Sequence, residues 1–255
     1  MHPTAVGSAT VPEPENTRPL GPPVSKNLII TLCLLLVAAL GIGLLVYLDR
    51  NGEGSAAPDA AGPSAPGPSP EEQPTAPAEV LVREDSRHLD RVDGARVTVV
   101  EFLDFECEAC RAQFPVMERV REDYDGRINM VIRYFPLPGH LNSGPAAAAV
   151  EAAAQQDALD DMYARMYETQ GEWGESRQDQ SEVFVGFAED LGLDTDEFVE
   201  TMESERTRER VQADFDDGLA LGVQGTPTIY VNGRLAPSMP SYEVLSAMID
   251  AELER

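Results

Sequence analysis

The chain has 255 residues, a net charge of −26, and 45 Asp and Glu against 19 Lys and Arg. That balance argues against a nucleic-acid partner, because phosphate contacts need clustered Lys and Arg, and it speaks to solubility rather than to fold. The length allows one domain or two. Sparse Lys beside many Arg and Ala fits a GC-rich bacterial genome.

Residues 1–26 form a Pro-rich tail that is expected to be disordered. Asn27 to Leu48 then reads as a transmembrane helix. It is a run of about 22 uncharged, mostly apolar residues, which at 1.5 Å per residue spans a roughly 30 Å hydrocarbon layer. A cleaved signal peptide would have an apolar region of about 7 to 15 residues and a small-residue cleavage site at once after it. Here Asp49-Arg50-Asn51-Gly52-Glu53 follows instead. Cys33, inside the run, reads as a lipid-facing hydrophobe. Arg18 and Lys26 precede the span and Arg50 follows it, which favours an N-terminus inside the cell and residues 49–255 outside. The expectation is a single-pass protein of the cell membrane, with a cytoplasmic tail and an extracytoplasmic domain. Residues 49–79 are dominated by Pro, Ala, Gly and Ser and cannot bury enough apolar surface to fold, so they read as a tether. Its root-mean-square reach as a flexible coil would be roughly 30 Å.

Residues 80–255 are then the globular domain. Arg96 to Leu103 is predicted as a strand, and Ala109 to about Tyr124 as a helix with Phe114, Met117 and Val120 at core spacing and Pro115 inside it, where a kink is expected. Between them stands Cys107-Glu108-Ala109-Cys110. A cysteine at the first turn of a helix meets unpaired backbone N–H groups and the positive end of the helix dipole, so its thiolate is favoured. A second cysteine one turn along is placed to displace a mixed disulfide and close a ring. Two other readings of the pair weigh less. Tetrahedral zinc wants four ligands, and the chain holds one other cysteine and three histidines, none in a second paired motif. A purely structural bridge between residues three apart would close a tiny loop and remove little unfolded-state entropy.

Asn129 to Phe135 is predicted as a second strand, stopped by Pro136-Leu137-Pro138-Gly139. From about residue 142 to 221 the apolar periodicity is helical, with Pro145 in a first turn, a stripe at Leu159, Met162, Tyr163, Met166 and Tyr167, a further helix from Ser181 to Leu191, and capping-box spacing from Asp194 to Glu197. A helix from about Glu205 to Leu221 ends at Gly222. Trp173 and His140 read as a buried indole and a loop-end imidazole rather than as functional groups. Thr228 to Ala236 reads as a hairpin turning on Asn232-Gly233, preceded by Pro227 at a strand start or in a cis turn, and Ser241 to Glu254 as a closing amphipathic helix. The predicted order is β-α-β, helical insert, β-β-α, an α/β fold.

These segments together resemble the DsbA-like branch of the thioredoxin superfamily, in its membrane-tethered bacterial form. The likeness is carried by Val100-Glu101-Phe102-Leu103-Asp104-Phe105-Glu106-Cys107-Glu108-Ala109-Cys110, by Tyr134-Phe135-Pro136-Leu137 and by Gly225-Thr226-Pro227-Thr228, and it covers roughly residues 80–255. It implies a thioredoxin fold with a helical insert at about 142–221. It makes Cys107 the attacking and Cys110 the resolving cysteine, and Pro227 a cis-proline facing the pair. The backbone of Thr226 would pair with a substrate strand, and Glu101 would be a buried acid that helps to move protons. The oxidants of this branch typically carry Pro-His between the cysteines, and this chain has Glu108-Ala109. A carboxylate there is expected to raise the thiol's pKa and give a milder oxidant, softened if Arg111 pairs with Glu108.

The leading reading is an extracytoplasmic enzyme, without metal or organic cofactor, that forms disulfides in exported proteins. A quinone-linked membrane partner, DsbB-like or similar to vitamin K epoxide reductase, would reoxidise it. A reductase or isomerase on the same residues is the alternative, and a protein holding a soft metal such as Cu(I) on Cys107, Cys110 and either His140 or a nearby methionine is a third reading. No dimerisation segment is evident, and a monomer is expected.

Overall fold

A computed structural model describes residues 75–255. The expected tail, the membrane span at 27–48 and nearly all of the tether lie outside the described residues. Among those described, no helix is long and apolar enough to cross a membrane.

The architecture is a five-stranded sheet of β1 (Arg87–Asp90), β2 (Val97–Leu103), β3 (Ile128–Tyr134), β4 (Thr228–Val231) and β5 (Arg234–Leu235), in the order β1-β3-β2-β4-β5, covered by helices. Its centre is β2 (Val97–Leu103), paired in parallel with β3 (Ile128–Tyr134) and antiparallel with β4 (Thr228–Val231). Both flanking connections therefore bring chain ends to one edge of the sheet, the end at Leu103 where the cysteine pair follows. β2 is almost wholly buried, and its alternation sorts two cores. Val97, Val99 and Leu103 face the larger one, beneath α2 (Glu108–Asp123) and α8 (Tyr242–Leu253). Val100 and Phe102 face a smaller one with Val131, Phe135 and Tyr230. Glu101 shares the alternation of Val99 and Leu103, so an acid projects toward the side that α2 covers.

The helical insert comprises α3 (Ser143–Ala154), α4 (Leu159–Trp173), α5 (Ser181–Asp190), α6 (Thr195–Glu203) and α7 (Glu205–Ala220). Its hub is α3, whose small alanine side chains let α4, α5, α6 and α7 all pack against it. Asp194 caps α6 by accepting from the N–H groups of Asp196 and Glu197. Trp173 is buried edge-on against Phe184 as a core residue. The helix α2 runs through Pro115 without a break. The Asn232-Gly233 turn joins β4 to β5 (Arg234–Leu235), both residues having positive φ, 46° and 83°, as a primed turn demands.

Two elements lie ahead of the predicted first strand. A one-turn helix α1 (Ala78–Leu81) and an edge strand β1 (Arg87–Asp90), antiparallel to β3, extend the sheet. The folded region therefore begins before residue 80, and Ala76 already donates its N–H to Gly233 O. The buried Arg133 of β3 fastens this start: it pairs with Asp214 and Asp217 of α7 and donates to the carbonyls of Val80 and Leu81.

Candidate active site

At the end of β2 the chain makes a tight turn, in which Cys107 N–H donates to Asp104 O at 3.1 Å, and α2 begins. Cys107 is the N-cap residue of α2, with extended φ and ψ of −72° and 120° and no side-chain cap bond. Its sulfur therefore stands at the helix end where free N–H groups converge. Both cysteines are buried and unbridged, with Cys107 8% and Cys110 1% exposed.

From the other side of the sheet, the loop before β4 brings in a cis Thr226–Pro227 bond. Cys107 Sγ lies 3.4 Å from the Thr226 carbonyl oxygen, to which the thiol donates. The Thr226 hydroxyl is buried beside it, where it can turn toward a thiolate. A thiolate at Cys107 meets donors: the Cys110 thiol first, then the Thr226 hydroxyl and the N–H groups of Cys110 and Ala109, which against the cost of burial hold its pKa down at about 5. Cys110 goes the other way, because burial and the Cys107 and Glu101 charges beside it push its thiol well above the ordinary value. The pair is thus split into an acidic thiol at Cys107 and a thiol at Cys110 that stays protonated.

Glu101, 2% exposed, has its carboxyl pushed up to about 8 by burial, with the Glu118 charge adding to it. It is a neutral acid at pH 7 and can give or take a proton beside Cys110. Glu108 is exposed and Ala109 half-buried. The expected lift of the thiol by Glu108 does not prevail: Cys107 is held low because Glu108 faces solvent while the donors face the sulfur. Arg111, expected as its partner, packs instead against Gly171 of α4.

Three further side chains shape the site. Gln170 of α4 donates its amide to Phe105 O at 2.7 Å and Cys107 O at 3.0 Å, tying the insert to the catalytic turn. Asp104 is buried and accepts from the N–H groups of Glu106 and Leu137 and from the Ser143 hydroxyl, and its Oδ2 lies 2.7 Å from His140 Nδ1. Glu106, also buried, accepts from Asn142 N–H at 2.6 Å. Among the described residues no group of three or more His, Cys, Asp and Glu side chains is arranged to hold a metal. A groove is lined by Gly225, Thr226, Pro227, Thr228, Ala236 and Pro237, and its Thr226 is the residue whose carbonyl meets Cys107 Sγ.

This geometry suits thiol–disulfide exchange, and comparison with known proteins agrees. A thioredoxin family model matches residues 93–251. The chain belongs to the thioredoxin family. A probable disulfide bond formation protein D from Bacillus anthracis is 33% identical over 174 residues, covering 64% of this chain and 76% of that protein. The Na(+)/H(+) antiporter NhaA 1 of Salinispora arenicola is 36% identical over 171 residues, 67% of this chain, yet the chain spans only 25% of that antiporter's length. A solved thioredoxin-like oxidoreductase from Silicibacter pomeroyi superposes with a TM-score of 0.60 at 25% identity, covering 71% of this chain and 99% of that one. Solved DsbA proteins share the same thioredoxin fold with its helical insertion.

Sequence reading placed Cys107, Cys110, Glu101, Thr226 and Pro227 together, and all five meet at this edge of the sheet. It passed over Asp104 and Gln170 and set His140 aside. Asp104 and Glu106 carried one legible sign, two acidic residues alternating with Phe105 straight out of a buried strand.

Proposed function

We propose that this thioredoxin-family chain is a thiol:disulfide oxidoreductase that forms disulfides in exported proteins. The observation that carries it is the acidic Cys107 beside the buried, protonated Cys110. A stabilised thiolate lowers the free energy of the reduced form, so the disulfide form is a good oxidant.

In the oxidised state a substrate thiolate attacks Cys107 Sγ in the groove beside Pro227. The Cys107–Cys110 bond breaks, the Cys110 sulfur takes the electron pair, and Glu101 is the nearby acid that protonates it. A second substrate thiolate attacks the substrate's own sulfur in the mixed disulfide. The substrate disulfide forms and Cys107 leaves as a thiolate, the better leaving group for its low pKa. Two electrons pass to the enzyme, and an external oxidant must remove them; a quinone-linked membrane protein is the proposed acceptor. The apolar run at 27–48 supports a single-pass anchor with the catalytic domain outside the cell, where such a pair is not held reduced.

The test is the pair of single variants. Cys107→Ser should abolish oxidation of a reduced, unfolded substrate. Cys110→Ala should accumulate stable mixed disulfides recoverable on a non-reducing gel. A Cys107→Ser chain that still oxidised substrate would end this reading.

A further inference from the structure

The turn that delivers Cys107 presents an electrostatic problem. Asp104 and Glu106 lie three and one residues before it, and both are 2% exposed. Buried carboxylates so close oppose a thiolate by like-charge repulsion. The residues between the two cysteines, Glu108 and Ala109, bring no cation.

The loop after β3 brings one. His140 follows the Pro136-Leu137-Pro138-Gly139 stretch, is 29% exposed at its side chain, and places Nδ1 2.7 Å from Asp104 Oδ2. The Leu137 N–H on the same carboxylate oxygen, and the Ser143 hydroxyl, fix both the loop and the first turn of α3 to Asp104. Resting on the existing reading of the thiol site, we infer that His140 is a positioning residue for that site. Its imidazolium, held on Asp104, offsets the carboxylates leading into Cys107 and so keeps the thiolate stable.

Desolvation opposes its charge, but the hydrogen bond and charge of Asp104, followed by the charges of Glu106 and Cys107, hold His140 above the ordinary imidazole value. Those three are the titratable groups acting on it from the catalytic turn and α2; α3 contributes the uncharged Ser143. The sign follows. His140 is charged below its raised pKa, so its support for the thiolate is present below that value and is lost as pH rises through it.

The test follows the alkylation rate of the Cys107 peptide in the reduced full chain by mass spectrometry, as a function of pH, which separates it from Cys33 and Cys110. His140→Asn keeps a donor near the position of Nδ1 and removes the charge; His140→Lys restores a charge. The wild-type profile should show a second inflection above pH 6.5, absent in His140→Asn, in which the Cys107 pKa should rise by about one pH unit. His140→Lys should bring it back down. An unchanged Cys107 pKa in His140→Asn, or no recovery with Lys, would overturn the inference. If His140→Asn does not fold by circular dichroism, the wild-type inflection decides alone, and its absence overturns the inference. Oxidation of an unfolded substrate by the wild-type chain is scored separately, so that failure as an oxidase is not confused with failure of the His140 coupling.

Discussion

Cys107 and Cys110 are the same residue type one helical turn apart, and burial with directed donors drives them to opposite protonation states. Glu101 is the third member, a carboxyl whose burial keeps it neutral up to about pH 8. In the unfolded chain it ionises near the ordinary glutamate value of 4.5, so its folded-state pKa is raised. Its contribution to stability therefore falls as pH rises from about 4.5 to 8 and is flat above that. The penalty reaches roughly 3 kcal/mol at pH 7. Glu101→Gln should remove this slope in urea unfolding measured at pH 5 and pH 8, and should slow exchange by leaving Cys110 without its acid. An unaltered slope would mean that Glu101 is solvated. At this scale the sequence was legible where spacing carries the chemistry: two cysteines three apart at a strand-to-helix junction, and a proline at the start of a returning strand. It was not legible where chemistry depends on remote partners. The Asp104–His140 contact joins residues 36 apart, and Gln170 reaches Cys107 O across 63.

The elements that place the site are β2, which ends at the catalytic turn, and α7, which closes the smaller core on the sheet's other face. There α7 comes so close that a Cβ on Gly218 would stand 2.6 Å from Phe135 Cδ2 and 3.1 Å from Phe102 Cδ1. Gly218→Ala should destabilise the chain by about 1–3 kcal/mol through overpacking. Gly186→Ala on α5, where nothing lies within 4 Å of the added Cβ, should stabilise it by roughly 0.5–1 kcal/mol through helix propensity. Equal effects in denaturant titrations would contradict this packing. The amphipathic helices and the Asn232-Gly233 hairpin could be read from the chain because their periodicity and turn chemistry are local. β1 and α1 could not, since each is four residues long with a single buried apolar residue, Leu89 and Leu81. Pairing with β3 and with the Arg133 side chain makes them, and neither leaves a pattern.

For the whole molecule, the site's electrostatics become a difference in stability between redox forms. The Cys107 pKa is depressed from 9.0 to about 5 in the folded dithiol chain. Its contribution to stability is complete above pH 9 and is lost as pH falls through 5. The disulfide form has no thiolate and lacks it. Between pH 7 and pH 5 the dithiol form should therefore lose about 2 kcal/mol relative to the disulfide form, a Tm difference of several degrees in paired calorimetry. Parallel Tm curves for the two forms would show that no thiolate is stabilised. The order of strands and insert was legible because each segment's period is distinct, whereas the side of the sheet on which the site gathers its charges depends on how α3, α4 and the loop after β3 fold back over the turn.

The reduction potential of the Cys107–Cys110 pair, equilibrated against glutathione in the full chain, tests the central claim most directly. A Cys107 pKa of about 5 lies between the roughly 3.5 of the strongest oxidants and the roughly 7 of thioredoxin. The potential should accordingly fall between about −120 and −200 mV, the range of disulfide donors. A value near −270 mV, that of thioredoxin, would contradict the account and make the chain a reductant.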